Sequence, residues 1–190
     1  MSDAAANQLP ALTYRPVTER DGAALVDFLT AEDWPFHYHL RPPLALVREW
    51  IDGGHFLEPQ SLHLWVLQGA QRIGLVGLLD LEDIDDGEPE LGLRITAPAR
   101  GRGVGTAAVR FLCGRAFDRW PQLERIFAKT RADHIAMRHV LVRCGFAKEM
   151  HARRAWHRDG GARFDSLGYG LLRADWERSV VTPVPWNDAP

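Results

Sequence analysis

Hydrophobic and polar residues alternate along the chain with two different spacings, one typical of strands and the other of helices. Apolar side chains that recur at every second residue, together with short apolar runs, predict strands at 12–17, 62–68, 72–83, 91–95, 125–130, 146–158 and 164–172. Apolar side chains three or four residues apart predict helices that begin at Thr18, after Pro43, at 104–117 and at Asp133. The pattern therefore predicts a sheet with helices packed against it.

The order of these elements indicates a fold class. One strand and two helices precede an antiparallel meander, then a strand–turn–helix–strand–helix unit, and finally a hairpin around Asp159, Gly160 and Gly161. This order predicts an α/β fold of the α+β type with a mixed sheet. With 190 residues and no linker or repeat, the chain is predicted to be a single domain, with its core at about 12–176 and a tail at 177–190.

Composition and charge argue against several classes of protein. The formal net charge of −2 gives no general attraction for nucleic acid or membranes, and no segment reaches the roughly 20 apolar residues that span a bilayer. Residues 1–14 lack the basic and apolar regions of a signal peptide, so we expect a cytoplasmic location. Cys113 and Cys144 lie in apolar helical patterns, which predicts buried thiols, and no ligand cluster predicts a metal site.

A glycine-rich turn at 100–106, with the sequence Arg-Gly-Arg-Gly-Val-Gly-Thr, carries the main chemical signal. A predicted strand leads into this turn and an amphipathic helix leads out of it. Glycine has no Cβ atom, so a phosphate can approach the backbone, and the free amides and dipole of the helix start favour negative charge. Arg100 and Arg102 add charged donors. The turn therefore predicts a pyrophosphate-binding site.

Two kinds of nucleotide ligand fit such a turn. Gly103, Gly105 and Ala108 match the G-x-G-x-x-A spacing of a dinucleotide-binding fold, and Arg131 could suit a 2′-phosphate, which would indicate an NADP-binding reductase. However, the unit follows an antiparallel meander and no further parallel unit comes after it. A Walker loop is excluded because no Gly-Lys-Ser/Thr follows. The other interpretation is a turn that binds acyl-CoA.

The acyl-CoA interpretation is strengthened by a resemblance to the GNAT superfamily. Its members carry an Arg/Gln-x-x-Gly-x-Gly/Ala turn after the fourth strand, and Arg100, Gly103 and Gly105 fall on the three fixed positions. Residues 130–146, which end in Gly-Phe, look like a second motif of the superfamily, and the closing hairpin resembles the RimJ/RimL-like subgroup. The resemblance covers about residues 12–176. It implies a mostly antiparallel sheet of about seven strands, with the fourth and fifth splayed apart, flanked by about four helices.

The resemblance also implies acetyl-CoA as cosubstrate and a set of residues that bind it. These are Leu93, Arg94 and Ile95 in the fourth strand, Arg100, Gly101, Arg102, Gly103, Val104, Gly105 and Thr106 in the turn, and Arg131, His134 and Arg138 beyond it. The chain departs from the superfamily at two positions. His134 replaces an Asn and can still hydrogen-bond a pantetheine amide, whereas Leu141 replaces a Tyr and cannot donate a proton. The leaving thiolate must then take its proton from water or another group.

Further residues are expected to act on the acceptor. Glu90, just before the fourth strand, is the candidate general base and Asp80 is the second choice; the alternative is that Glu90 is a solvated carboxylate of an acidic loop at 82–90. The expected wall of the acceptor pocket consists of Trp34, Phe36, His37 and His39. Alternatively, the aromatic rings in this segment cover the sheet edge and the histidines face water.

These residues together predict an N-acetyltransferase that moves an acetyl group from acetyl-CoA to a primary amine by direct attack. The acceptor could be a small molecule or a peptide N-terminus, and the acidic loop would suit a cationic one. Two other functions remain open: an NADP-binding reductase, and a non-catalytic CoA-binding module, which Leu141 and His134 would favour. The exposed edge of the closing hairpin could pair across a homodimer.

Overall fold

The structure, a computed structural model, describes residues 11–82, 84 and 88–186, which form seven strands and five α-helices. The strands are β1 (Leu12–Pro16), β2 (Leu62–Gln68), β3 (Gln71–Leu79), β4 (Glu90–Ile95), β5 (Arg125–Arg131), β6 (Ala147–His157) and β7 (Arg163–Leu172). The helices are α1 (Gly22–Thr30), α2 (Leu44–Asp52), α3 (Val104–Arg119), α4 (Ile135–Arg143) and α5 (Arg173–Arg178). The predicted α/β fold class is confirmed.

All seven strands form one sheet in the order β1-β2-β3-β4-β5-β7-β6. Neighbouring strands are antiparallel except β4 and β5, which run parallel. β4 and β5 are paired at one position, where Glu90 lies opposite Phe127. The Phe127 amide also donates to the Pro89 carbonyl at 3.0 Å. Beyond this pair β4 and β5 diverge, so the predicted splay of the fourth and fifth strands is confirmed and a gap opens towards their carboxyl ends.

Strand alternation places a hydrophobic layer on each face of the sheet. Leu64 on β2 belongs to the layer that contains Leu112 of α3 and Leu141 of α4. The next residue, Trp65, faces the opposite side and packs in the layer that contains Leu29 of α1 and Val47 of α2. The two pairs of helices therefore cover opposite faces of the sheet.

Some element boundaries differ from those expected from the sequence. β3 ends at Leu79 rather than at residue 83, because Asp80 has a φ of 60°, in the left-handed region that a strand cannot continue. α1 begins at Gly22, after a short 3-10 turn over Glu19–Asp21. Residues 83 and 85–87 of the acidic loop, and 187–190 of the predicted tail, lie outside the described residues.

Helix α5 occupies the segment where the sequence predicted the end of the core. Arg173 donates to the carbonyls of Phe117 and Trp120, at 3.0 and 2.6 Å, which ties the start of α5 to the end of α3. The buried Asp175 carboxylate accepts hydrogen bonds from the Thr182 amide and hydroxyl, at 2.8 and 2.7 Å. These contacts hold the helix in place, and its six residues are too few to show a helical period in the sequence.

Replacing Leu141 by Ala tests whether this residue is a core residue of α4. Leu141 is 0% exposed, so the removal of its buried methyl groups should lower the free energy of unfolding by about 2–5 kcal/mol in urea denaturation. The adjacent Val142 is 60% exposed, and Val142→Ala should change stability by no more than about 0.5 kcal/mol. Equal stabilities of the two variants would contradict the burial of Leu141.

Candidate active site

The glycine-rich turn adopts backbone conformations that glycine accepts most readily. Gly101 and Gly103 have φ values of 73° and 81°, in the left-handed region. No atom lies within 4 Å of the position that a Cβ atom on Gly101 would occupy, so this side of the turn is open. Gly103 is the N-cap residue of α3 and makes no side-chain cap. The first amides of α3 therefore lack an intrahelical partner and are available to an anion.

A cavity of about 370 Å³ adjoins this turn, a volume within the roughly 300–1,000 Å³ typical of ligand sites. It is bounded by the loop after α1, the carboxyl end of β4, the glycine-rich turn and α4. The predicted residues that line it are Trp34, Phe36, His37, Leu93, Arg94, Ile95, Arg100, Gly101, Gly103, Gly105, Thr106 and His134. The structure thus places most of the expected acceptor wall and most of the expected CoA-binding residues around one cavity.

The other predicted residues lie outside the cavity lining. They are Asp80, Glu90, His39, Arg102, Val104, Arg131 and Arg138. Val104 is buried beneath the turn, while Arg102 is exposed on it and Asp80 is exposed at the end of β3.

Two of these residues support the cavity walls from behind. The buried Arg131 guanidinium pairs with the Asp133 carboxylate at 2.6 Å and donates to the Pro35 carbonyl at 3.1 Å. Arg138 donates to the Ala132 carbonyl at 2.9 Å. Arg131 therefore joins β5 to the loop after α1, and Arg138 fixes the start of α4.

His39 lies at a different junction. Its Nδ1 atom is 2.8 Å from the Asp159 carboxylate, at the tip of the β6–β7 hairpin, and the Asp159 amide donates to the Tyr38 carbonyl at 3.3 Å. These contacts tie the loop after α1 to the hairpin. His39 thus holds the loop that carries the wall, and does not itself line the cavity.

The aromatic wall is built partly into the core. Trp34 is 2% exposed, and its indole N–H donates to the Leu29 carbonyl of α1 at 2.9 Å. The Phe36 ring is stacked on the His134 ring, with centroids 3.8 Å apart and planes inclined by 5°. The loop after α1 and the start of α4 therefore meet across the cavity through this aromatic pair.

Positive charge collects beside this wall. The guanidinium groups of Arg94 and Arg100 lie 5.9 and 5.7 Å from the centroid of the Trp34 ring. Arg100 is fixed, because it donates to the Ile95 carbonyl at 2.8 Å and pairs with the Glu32 carboxylate at 2.9 Å. Burial lowers the pKa of Arg94 to about 10, so its guanidinium remains protonated at neutral pH.

Two of the three histidines in the cavity lining, His37 and His134, are neutral at pH 7. Burial lowers the pKa of His37 well below its usual range, and the positive charge of Arg94 lowers it further. Burial also lowers the pKa of His134 to about 4, although the Asp133 carboxylate acts in the opposite direction. Neither ring therefore supplies a charge or acts as a proton donor of imidazolium type.

Glu90, the predicted base, stands at the start of β4. Because alternate residues of a strand face the same side, Glu90, Gly92 and Arg94 share one face of β4. The Lys129 ammonium of β5 lies 3.3 Å from the Glu90 carboxylate. The two groups thus form an ion pair across β4 and β5 close to the point where the strands part.

Sequence reasoning predicted His134 and Arg138 near α4 but missed other residues that this helix contributes to the cavity. Met137, Val140 and Arg143 line it. A Cβ atom on Gly105 would stand 3.4 Å from the side chains of Val140 and Leu93, so this glycine marks a close approach of α3 to both. The spacing of Met137 and Val140 indicates an apolar helix face, but it does not distinguish a face on the core from one on a cavity.

Thiol and metal chemistry have little support in the described part of the chain. Burial raises the pKa of both Cys113 and Cys144, so neither is a ready nucleophile. Residues 11–82, 84 and 88–186 contain no group of three or more His, Cys, Asp or Glu side chains that could hold a metal ion.

Over the same residues, no helix combines the length and apolar character needed to cross a membrane.

Known proteins provide independent information about this chain. A Bacillus subtilis (strain 168) protein provisionally named ribosomal N-acetyltransferase YdaF is 27% identical over 122 residues, which are 64% of this chain and 65% of that protein. RimJ from Mycobacterium smegmatis, solved with CoA-disulfide, has a TM-score of 0.69 at 21% identity, and the match covers 86% of this chain and 83% of RimJ. Mutant forms of the spermidine/spermine N-acetyltransferase SpeG from Vibrio cholerae have a TM-score of 0.71 at 17% identity, with coverage of 88% and 97%.

These two structures share the fold of this chain, and the match to YdaF spans just under two thirds of that relative's length. The profile of the acetyltransferase (GNAT) domain matches residues 11–147, from β1 to the start of β6. This range includes the glycine-rich turn, the splayed strands and the cavity between them. The protein belongs to the GNAT acetyltransferase family.

Proposed function

We propose that the protein is an N-acetyltransferase that transfers the acetyl group of acetyl-CoA directly to a primary amine. The observation that carries this proposal is the convergence of two features on one cavity. The unpartnered amides at the start of α3 adjoin the cavity, and the carboxyl end of β4, beyond its pairing with β5, lines it. The first feature suits a diphosphate and the second suits an extended acyl arm.

The residues around the cavity fit coenzyme A. The open turn at Gly101 and Gly103, the first amides of α3 and the Arg102 guanidinium would hold the diphosphate. Residues 93–95 of β4 would pair through their backbone with the pantetheine amides, since β5 has moved away. When bound, acetyl-CoA supplies the acetyl group in activated form, as a thioester.

The chain's own residues must then remove a proton from the amine. A lysine-type amine has a pKa of roughly 10.4 and is mostly protonated at neutral pH. Glu90 would accept this proton, directly or through water, while Lys129 holds its carboxylate in place. Asp80, which follows the β3 residue paired with Glu90, is the second candidate. A backbone amide of β4 would stabilise the negative charge that develops on the carbonyl oxygen.

The acceptor belongs to one of several classes of amine. YdaF carries the name of a ribosomal N-acetyltransferase, and SpeG carries that of a spermidine/spermine N-acetyltransferase. A peptide N-terminus and a small-molecule amine therefore both fit this fold. The protein is expected to use a primary amine in either case.

The rival functions receive less support from the geometry. A dinucleotide-binding fold is built from successive parallel strands, whereas the described sheet contains one parallel pair, β4 and β5. A non-catalytic CoA-binding module would explain why the buried Leu141, which cannot donate a proton, stands at the position of a Tyr. This single residue is the main argument for such a module. Direct attack does not require a covalent enzyme intermediate, so the burial of both cysteines is compatible with turnover.

A paired binding and turnover assay tests this proposal. Thermal shift should show stabilisation by CoA and not by NADPH, because the turn and the gap between the strands suit a diphosphate that carries an extended arm. Thiol release from acetyl-CoA should then identify at least one turned-over amine in a library of amino acids, polyamines and peptides. Stabilisation by NADPH alone would indicate a reductase, and CoA binding without turnover of any amine would indicate a binding module.

Arg102→Glu tests the diphosphate site. Arg102 is exposed on the turn, so charge reversal should weaken CoA binding by roughly tenfold without loss of folding. Isothermal titration calorimetry measures the dissociation constant. Arg115→Glu makes the same change of charge at an exposed position farther along α3 and should have little effect. An unchanged CoA affinity in Arg102→Glu would remove Arg102 from the site.

Glu90→Gln tests the general base. Loss of a base that acts at the reacting amine should lower kcat by roughly 10²–10⁴-fold and change the pH–rate profile. Steady-state kinetics across pH with an identified acceptor provides the measurement. Glu82→Gln, at an exposed position of the acidic loop, serves as control and should retain the wild-type profile. The same profile in Glu90→Gln would exclude Glu90 as the base.

A further inference from the structure

Arg94 differs from Arg100, the other arginine beside the Trp34 ring, in having no counter-charge among the described residues. Arg100 pairs with Glu32, and Arg131 pairs with Asp133. Within the described residues, Arg94 makes no salt bridge, and its buried Nε atom has no hydrogen-bond partner. Burying a guanidinium nitrogen without such a partner is unfavourable, so this arrangement is expected where a ligand supplies the missing acceptor.

The groups around Arg94 do not supply negative charge. Burial lowers the pKa of His37 well below its usual range and the pKa of His63 to about 3, and the positive charge of Arg94 lowers both further. Both rings are therefore neutral at pH 7. The Ser61 hydroxyl donates to the His55 carbonyl at 2.7 Å and therefore accepts a hydrogen bond from His63 Nδ1 at 2.9 Å. This arrangement fits the neutral Nδ1–H tautomer of His63.

Glu32, the carboxylate beside Arg100, is already engaged. Glu32 accepts hydrogen bonds from Arg100 at 2.9 Å and from the Ala97 amide at 3.0 Å. The Trp34 ring, which lies 5.9 Å from the Arg94 guanidinium, offers a π face and no anion. Arg94 therefore contributes an excess positive charge to the cavity lining.

The position of Arg94 separates it from the predicted diphosphate site. Leu93 and Ile95 face the layer that contains α3 and α4, whereas Arg94 faces the side covered by α1 and α2. This is the side of the aromatic wall and of Glu90. The amides of α3 and Arg102 already provide for the diphosphate, which leaves Arg94, on the opposite face of β4, available to an anion of the other substrate.

We propose that Arg94 binds a carboxylate of the acceptor, so that the acceptor is an amine that also carries a carboxylate, as amino acids do. This inference rests on the proposed N-acetyltransferase function. A guanidinium offers two parallel N–H donors that match the two oxygens of a carboxylate. Glu90 and Arg94, on one face of β4 with Gly92 between them, provide an acidic and a basic end for a zwitterion.

Matched pairs of acceptors test this proposal. Standard amino acids and their α-carboxamides are compared as acceptors of acetyl-CoA, with wild type and Arg94→Gln. The wild type should favour the acid over its amide in kcat/KM more strongly than Arg94→Gln, by about tenfold or more, since a charge-assisted hydrogen bond is lost. The amine of the acid and the amine of the amide have different pKa values. Comparing the acid-to-amide ratio of kcat/KM between the two enzymes removes this difference.

Two further measurements separate this role from others. Calorimetry of the amino acids with the enzyme–CoA complex should show binding to wild type that Arg94→Gln weakens. The melting temperature of Arg94→Gln should be no lower than that of wild type, because Arg94 makes no ion pair in the described fold. Arg102→Gln is the matched control: it should weaken CoA binding and leave the acid-to-amide ratio unchanged.

Several results would overturn the inference. If Arg94→Gln weakened CoA binding and left the acid-to-amide ratio intact, Arg94 would be a cofactor contact. If amines were acetylated with no preference for a carboxylate, the acceptor class would be wrong while the proposed function stood. If CoA neither bound nor reacted, the proposed function would fail and this inference with it.

Discussion

The divergence of β4 from β5 is the constraint on which the rest of the site depends. The two strands share one register pair, Glu90 with Phe127, after which the edge of β4 that faces β5 has no strand to pair with. Backbone N–H and C=O groups in such a position need other partners. The start of α3 adds further unpartnered amides beside the same gap. An extended ligand with its own amides and a diphosphate satisfies both sets of groups, which links the geometry of the sheet to CoA.

Some side chains around this gap hold its walls in place, and others remain available to a ligand. All three guanidinium nitrogens of Arg131 donate hydrogen bonds, two to the Asp133 carboxylate and one to the Pro35 carbonyl. Arg131 therefore joins β5 to the loop after α1. Arg100 is likewise held by Glu32 and the Ile95 carbonyl. The cavity can therefore keep its shape before any ligand enters. This preorganisation reduces the entropy that binding must overcome.

The sequence predicted features that depend on local backbone chemistry and missed those that depend on distant contacts. The glycine-rich turn was predictable because Gly101 and Gly103 adopt left-handed conformations, a local requirement of the chain. The contact of His39 with Asp159 joins residues 120 positions apart, and no local pattern indicates it. Met137 and Val140 show the same limit, because an apolar helix face has one spacing whether it meets a core or a cavity.

The buried Leu141 bears on how the reaction can end. Many members of the family that this chain resembles have a Tyr at this position, which protonates the leaving thiolate. Leu141 has no proton to donate and lies in the core. His134 and His37, two of the histidines that line the cavity, are neutral at pH 7 and therefore do not supply the proton as imidazolium ions. A thiol has a pKa of roughly 8.5, well below the roughly 10.4 of a lysine-type amine. The thiolate is therefore the weaker base of the two, and it can depart and then take a proton from water. Deprotonation of the amine is the more demanding proton transfer, so a base at the amine matters more to the chemistry than the absent Tyr.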